Sequence, residues 1–484
     1  MLDRFHKLAI LALITSTAYL IWLFFSKNSG IGNLFFVLEF LVFLLLLLLI
    51  INHWTRRYEL FGGSYSLQSK VDIFIPTRGE PLKMLERTVS AACEIEYPNK
   101  KVYILDDGAR SEVVRLASKY NCVYFRRSDL YKKKYKAANL NWAFRRTSGD
   151  FILVLDADQV CRPTILKDLL GHFKDPKVAL VSTRQRFNVS KEDFNNDNLF
   201  FEYMQPGKNV DGVAISCGSG VIYRRKALVK IGGFQEWNIV EDVYTTYVLN
   251  LHGYKSVYVN QAYAIGEAPQ DIKTIYKQRG LWARDTLRLF FWKAPFLNRK
   301  LNWRKKLHYF EMGYCYIICA LVLPAIFILN IYSTFTNIPI LETGVSYFFF
   351  KLPSFFLVLY MVNSLGQGSQ STRMWFSLFP LFFKNMFLAL IYKKPSYKVT
   401  NKINGKKGWY LIFPQTLLVL MSIFSCLWHF EHWEINWLLS SNFFWHGVLI
   451  YMVWPLFLKA FDSAGNFDIR KTLPNLATLC LKRS

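Results

Sequence analysis

The sequence predicts an α/β domain set into a bundle of membrane helices, and three observations carry that expectation. First, 52% of the 484 residues are apolar and 17% aromatic, with a positive mean hydropathy, a composition far from that of a soluble enzyme. Second, long apolar runs fill both ends of the chain, while the polar block from about 68 to 270 alternates short β-rich runs with stretches of helical period. Third, two acidic motifs, Asp106-Asp107-Gly108 and Asp156-Ala157-Asp158, close two of those β-rich runs.

In chain order, residues 7 to 25 and 32 to 52 each approach the roughly 20 residues a spanning helix needs. The first resembles a signal peptide but has no small-residue cleavage site and runs at once into the second, so residues 1–60 read as a retained two-helix hairpin. Residues 61–270 form the polar domain. Within it Val71 to Ile75, Lys101 to Leu105, Phe151 to Leu155 and Val178 to Val181 read as strands covered on both faces, separated by helical Pro81 to Glu94 and Ser111 to Tyr120. That is the pattern of a doubly wound sheet, in which ligands bind beyond the C-terminal ends of the strands.

Residues 271–306 follow as amphipathic interface helices, and 307–460 as a second membrane region with spans at about 308 to 333, 345 to 365, 409 to 429 and 442 to 460. The shorter segment 374 to 391 carries Lys384 and reads as lying in the interface. Loops 334 to 344 and 431 to 441 contain no Lys or Arg, whereas 293 to 306 and 393 to 407 are dense with them, which puts the polar domain and both ends on the cytoplasmic side. A short cytosolic tail, 461–484, closes the chain. The formal charge of +26 gathers beside apolar runs, where it faces lipid headgroups, so no nucleic-acid partner is expected. Eight cysteines include no CxxC pair, and a zinc or disulfide framework is not expected.

Asp156 and Asp158 at a strand end project to one side and make a hard-oxygen site for Mg2+ or Mn2+ holding a diphosphate; two turn or cap aspartates are the plain alternative. Asp106 ends its strand where a nucleobase or ribose would sit. Thr77 and Glu80 lie in the neighbouring loop, and Lys136 offers a point charge for phosphate. Glu241 and Asp242 precede a helix, where Asp242 reads either as an N-terminal cap or as a general base for a sugar hydroxyl. Gln278-Arg279-Gly280-Leu281-Trp282 joins an amide, a guanidinium and an indole, the last a sugar-stacking face or an interface anchor.

In order and spacing these residues, with Lys136-Ala137-Ala138-Asn139-Leu140-Asn141, Gln205-Pro206-Gly207-Lys208 and Cys217-Gly218-Ser219, resemble the inverting processive glycosyltransferases that include cellulose synthase and curdlan synthase. The resemblance covers about residues 68 to 410. It implies a GT-A nucleotide-sugar fold, a transmembrane polymer channel, and named roles: Asp156 and Arg279 with Thr77, Glu80, Asp106 and Lys136 at the nucleotide sugar, Asp158 with Asp156 at the metal, Asp242 beside Glu241 as base, and Cys217, Gln278 and Trp282 around the acceptor. Tyr397 to Lys402 looks like the family's FxVTxK gating loop, with Tyr397, Val399, Thr400 and Lys402 at its marked positions within 393–408. That loop favours UDP-glucose as donor and a growing β-glucan as acceptor over the sugars of hyaluronan or chitin synthases. A non-processive lipid-linked transferase and a nucleotide-sensing membrane scaffold are the other readings, and export partner proteins and linkage (β-1,4, β-1,3 or mixed) stay open. Two departures stand out. Leu281 occupies a position where the family carries Arg, and the sequence after the last span leaves no room for a cyclic-di-GMP-binding barrel, so regulation in cis by that nucleotide is not expected.

Overall fold

The structure is a computed structural model that describes residues 3–27, 30–59, 62, 66, 68–127, 135–189, 193–269, 271–341, 345–365, 370–394, 408–434 and 440–461. The gating-loop motif Tyr397 to Lys402 and the tail beyond 461 lie outside these residues.

The N-terminal hairpin is α1 (Arg4–Ser26) and α2 (Gly30–His53). Asp3 starts α1 by accepting a hydrogen bond from the His6 amide at 3.0 Å, satisfying one of the amides a helix start leaves unpaired. Strands β1 (Val71–Thr77), β2 (Lys100–Asp106), β3 (Val123–Phe125), β4 (Phe151–Val154), β5 (Val160–Cys161), β6 (Val178–Phe187), β7 (Val221–Arg224) and β8 (Lys255–Gly266) form one sheet, ordered β3-β2-β1-β4-β7-β6-β8-β5. Helices α3 (Leu82–Cys93), α4 (Ser111–Lys119), α5 (Lys136–Phe144), α6 (Ile165–Leu169), α7 (Gln205–Val210), α8 (Arg225–Lys230) and α9 (Glu241–Leu251) accompany it.

Side chains alternate through this sheet into two cores, as the period of a strand requires. Ile73, Ile75 and Leu153 pack on one face with Leu85, Val89 and Leu116 of α3 and α4. Phe74, Ile152 and Val154 pack on the other with Leu140, Leu228 and Leu249 of α5, α8 and α9. The four expected strands are present, and β1, β2, β3 and β4 pair in parallel. The sheet is mixed rather than wholly parallel: β7 runs antiparallel to both β4 and β6, and β5 antiparallel to β8. β7 has four residues and is entered through the turn Gly218-Ser219-Gly220, whose two glycines adopt the positive φ that sets its direction after the helical segment Leu199–Val210.

After the sheet come α10 (Ile272–Arg288), α11 (Trp303–Ile317), α12 (Leu323–Thr336), α13 (Ser346–Leu365), α14 (Gln370–Ser377), α15 (Phe379–Leu390), α16 (Phe413–His432) and α17 (Ser440–Phe461). A π-helical turn at Ile318–Val322 joins α11 to α12 in a single 34-residue helix. With α1, α2, α13, α16 and α17 this gives, among the described residues, six helices long and apolar enough to cross a membrane, against the same six spans expected from hydropathy, and α15 is a shorter apolar helix. It packs on α10, where the Arg284 Nε donates to Asn385 Oδ1 at 2.8 Å. The sheet domain is tied to the bundle by a buried polar cluster: Glu311 on α11 faces His53 Nε2 at 3.0 Å and Lys208 of α7 at 3.9 Å, all fully buried. A carboxylate so placed is tolerable only because those groups and Asn52 satisfy it.

Candidate active site

The strand ends of β1, β4 and the turn before β7 converge on a cavity of about 490 Å³ lined by Thr77, Glu80, Lys136, Asp156, Asp158, Cys217, Glu241, Asp242, Gln278 and Trp282. Ten of the expected site residues, scattered over some two hundred positions of sequence, therefore meet in one place.

Each is held by local chemistry. The loop after β1 is wrapped around the Glu80 carboxylate, which accepts from Thr77 Oγ1 at 2.7 Å and from the amides of Arg78 and Gly79 at 2.8 and 3.1 Å. Burial pushes the Glu80 carboxyl up, but those hydrogen bonds outweigh it and hold the group below the usual carboxylate range. Arg110 braces the same loop through Thr77 Oγ1 at 2.7 Å. Lys136, at the start of α5, points its ammonium at Asp156 Oδ1 (2.6 Å), the Gly218 carbonyl (2.8 Å) and Glu241 Oε1 (3.4 Å). Burial alone pulls a lysine down; here Asp156 and Glu241 reverse the sign and keep Lys136 firmly charged.

Asp242 begins α9 with its Oδ1 accepting the Val243 amide at 2.7 Å. Burial, then the neighbouring Glu241, push it up to about 8 against the pull of Lys136. A carboxylate titrating near neutrality in a cleft is what a proton acceptor needs. The thiol of Cys217 is likewise pushed well up by burial, and so stays neutral beside Asp242.

Two expected residues sit elsewhere. Asp106 is fully buried, and its oxygens accept the Gly108 and Arg110 amides at 2.8 Å each, so it shapes the turn from within. The next residue, Asp107, lines the cavity instead and pairs with Arg127 Nε at 2.8 Å. Arg279 does not line the cavity. It is buried against Asp197 at 2.6 Å, with its guanidinium 4.9 Å from the Trp282 ring, so it fixes the indole from behind. On the cavity side of α10 stands Lys277, one turn before Leu281 on the same face. That i,i+4 relation was present in the sequence and puts a cation beside Leu281 on the cavity wall.

Asp285 carried no sequence signal. Its Oδ2 accepts the amides of Ile239 and Val240 at 2.7 Å each, and its Oδ1 meets Arg288 at 3.1 Å, so α10 directly sets the loop that delivers Glu241 and Asp242. Asp285→Ala strands two buried amides and a buried guanidinium, each costly. The variant is expected to lose about 3 kcal/mol of stability and to turn over its donor at least about 10-fold more slowly; a melting curve and a UDP-release assay on the purified protein check both.

A second cavity, also about 490 Å³, lies among the membrane helices and shares Cys217, Asp242 and Trp282 with the first. Tyr316 and Trp445 line it. Two other aromatics of the spans do not: the Tyr314 hydroxyl donates to the Leu41 carbonyl at 2.8 Å, and Trp409 is exposed.

Comparison with known proteins agrees with this geometry. Residues 72–232 match the model of glycosyl transferase family 2. A UDP-forming cellulose synthase catalytic subunit of Komagataeibacter sucrofermentans is 36% identical over 253 residues, 49% of this chain and 33% of that protein. The corresponding subunit of Pseudomonas fluorescens is 31% identical over 329 residues, 62% of this chain and 44% of its own length. The chain thus spans less than half the length of these relatives. Among solved structures, a mannosyltransferase from Pyrobaculum calidifontis, in complex with GDP-mannose and Mn2+, aligns with a TM-score of 0.54 at 18% identity, over 74% of this chain and 99% of that one, which is a likeness of fold. Residues 72–232 thus carry a glycosyl transferase family 2 domain, and the chain is similar to bacterial cellulose synthase catalytic subunits over 49% to 62% of its length.

Proposed function

We propose that the chain transfers glucose from UDP-glucose to the end of a growing β-glucan and feeds the product into the membrane cavity. The observation that carries this reading is the shared wall of the two cavities: Cys217, Asp242 and Trp282 face both the acidic cleft and the space between the membrane helices. The relatives are named as UDP-forming, in keeping with a uridine nucleotide donor.

In this reading Asp107 and the loop held by Glu80 seat the nucleotide, while Lys136 and Lys277 balance the diphosphate. Trp282 stacks on the acceptor sugar, and Asp242 takes the proton of its attacking hydroxyl, opposite the leaving group, so that the configuration at the anomeric carbon inverts. Asp156 and Asp158 form an all-oxygen donor set suited to Mg2+ or Mn2+. The Lys136 ammonium meets one oxygen of Asp156 at 2.6 Å, so the cation would share that carboxylate with the lysine. When bound, the cation would stabilise negative charge on the departing diphosphate. The basic loops 293 to 306 and 393 to 407 orient the site to the cytoplasm of the cell membrane. The motif from Tyr397 through Val399 and Thr400 to Lys402 would close over bound nucleotide and exclude water.

Purified protein in lipid vesicles, given UDP-glucose and Mg2+, is expected to yield a high-molecular-weight glucan that β-glucanases degrade, with chelation by EDTA stopping its synthesis. Digestion with linkage-specific enzymes separates β-1,4, β-1,3 and mixed products. Label appearing only in solvent-extractable lipid, or polymer formed from UDP-N-acetylglucosamine in place of UDP-glucose, overturns the reading.

A further inference from the structure

Two thiols of the sheet domain take no part in the transfer reaction yet lie against each other. The start of α3 lines the acidic cleft through Pro81 and Met84, and Cys93 is the last residue of that helix. Cys122 stands one residue before β3, and its sulfur is 3.5 Å from that of Cys93. Both sulfurs face the Tyr120 carbonyl, at 3.6 Å from Cys122 and 3.7 Å from Cys93. Both residues are half-buried, whereas Cys161 is sealed in the sheet core and Cys315, Cys319 and Cys426 lie in membrane helices.

A disulfide has a sulfur–sulfur distance of about 2.0 Å, so bonding this pair needs a closing movement of about 1.5 Å. The two thiols are also unequal. With Cys122 donating its S–H, Cys93 is brought down to about 7 against the effect of burial, and the Lys100 ammonium adds to the shift. The same contact, then burial, push Cys122 up, so it keeps its proton. Near neutral pH a thiolate therefore stands beside a protonated thiol, the arrangement of an attacking cysteine and its resolving partner. On the cytoplasmic side proposed above for this domain, a disulfide is transient and redox-sensing rather than structural.

We propose that Cys93 and Cys122 form a reversible oxidation site that takes hydrogen peroxide as its oxidant and slows the transfer reaction when closed. The Cys93 thiolate attacks one peroxide oxygen and the O–O bond breaks; with one proton taken up, water leaves and Cys93 becomes a sulfenic acid. The Cys122 sulfur then displaces hydroxyl from Cys93, which departs as a second water with the Cys122 proton, and the S–S bond forms. Two electrons have passed from the thiols to the peroxide. A dithiol reverses the step by exchange.

Both tethered elements already reach the active site. Thr88 on α3 donates to the Ala157 carbonyl, between Asp156 and Asp158, at 2.9 Å. Two residues beyond β3, Arg127 pairs with Asp107 in the cleft wall. Drawing α3 toward β3 therefore moves the Asp156–Asp158 turn, and a misplacement of about 1 Å there costs roughly 100-fold in rate.

The test exposes purified protein in lipid vesicles to a small molar excess of hydrogen peroxide, blocks free thiols, and analyses the peptides by mass without reductant. The expected product is a Cys93–Cys122 cross-linked peptide, lighter than its two parts by two hydrogens. UDP release from UDP-glucose with Mg2+ is expected to fall at least about five-fold and to return with dithiothreitol. Cys122→Ser should match untreated wild type in rate and trap Cys93 as a sulfenic acid that a cyclic dione labels. Cys93→Ser should lose both the cross-link and the response to peroxide. Thiols that stay unlinked, a cross-linked protein with the untreated rate, or a slowdown that persists in Cys93→Ser overturns the site. The rate readout rests on the proposed transfer and the cross-link does not, so untreated protein that releases no UDP overturns that reading, while the cross-linked peptide still supports the oxidation site.

Discussion

Asp242→Asn is expected to cut sugar transfer by about 100-fold to 10,000-fold, the range that a positioned proton acceptor contributes. The substitution keeps shape and the oxygen that accepts the Val243 amide, so folding and donor binding should survive. What it removes is the capacity to take a proton from the acceptor hydroxyl. The pH profile supplies a second, independent reading of the same residue. Burial and Glu241 push Asp242 up to about 8, and it works only as the carboxylate. In wild type kcat/KM should therefore climb as pH rises and level off above about 8. UDP release measured from pH 6 to 9 shows it; a flat profile, or an Asn variant at wild-type rate, removes Asp242 from the base role.

The parts of this protein most legible in its sequence are those fixed by period and composition. A continuous apolar run can only span or be buried, so the six helices long and apolar enough to cross among the described residues stood out, and the Phe151–Val154 strand, buried along its whole length, needed no tertiary information. Acidic motifs at strand ends, likewise, led to the cleft, because a doubly wound sheet places its ligands there. What escaped depended on which way a side chain turns. Asp106 and Asp107 are adjacent and chemically identical, and only the turn that consumes both oxygens of Asp106 decides that Asp107 faces the ligand. Arg279 and Lys277 are both cations beside Gln278, but two positions on a helix is about 200° of rotation, which sends Arg279 to Asp197 and Lys277 to the cavity. Asp285 takes its role from the amides of Ile239 and Val240, more than forty residues away, which no local pattern could connect to it.

Gly218→Ala is expected to do nearly as much damage as removing the base, although it adds one methyl group. Gly218 has φ +80°, and its carbonyl accepts the Lys136 ammonium at 2.8 Å. A Cβ there would stand 2.9 Å from Asp242 Oδ2 and 3.2 Å from Lys136 Nζ, inside contact distance of both charged groups at the heart of the cleft. Backbone strain from the left-handed conformation accounts for about 1–2 kcal/mol, which shifts melting without preventing folding. Displacing Asp242 is the larger effect, since a misplacement of about 1 Å costs roughly 100-fold in rate. Gly232 separates the two contributions. Its φ is +81°, yet a Cβ at that position meets nothing within 4 Å. Gly232→Ala should therefore lose a similar amount of stability and keep its activity, while Gly218→Ala loses both. Equal rates for the two alanine variants would show that strain alone governs the loop, and that the Cys217–Gly220 turn does not set the position of the base.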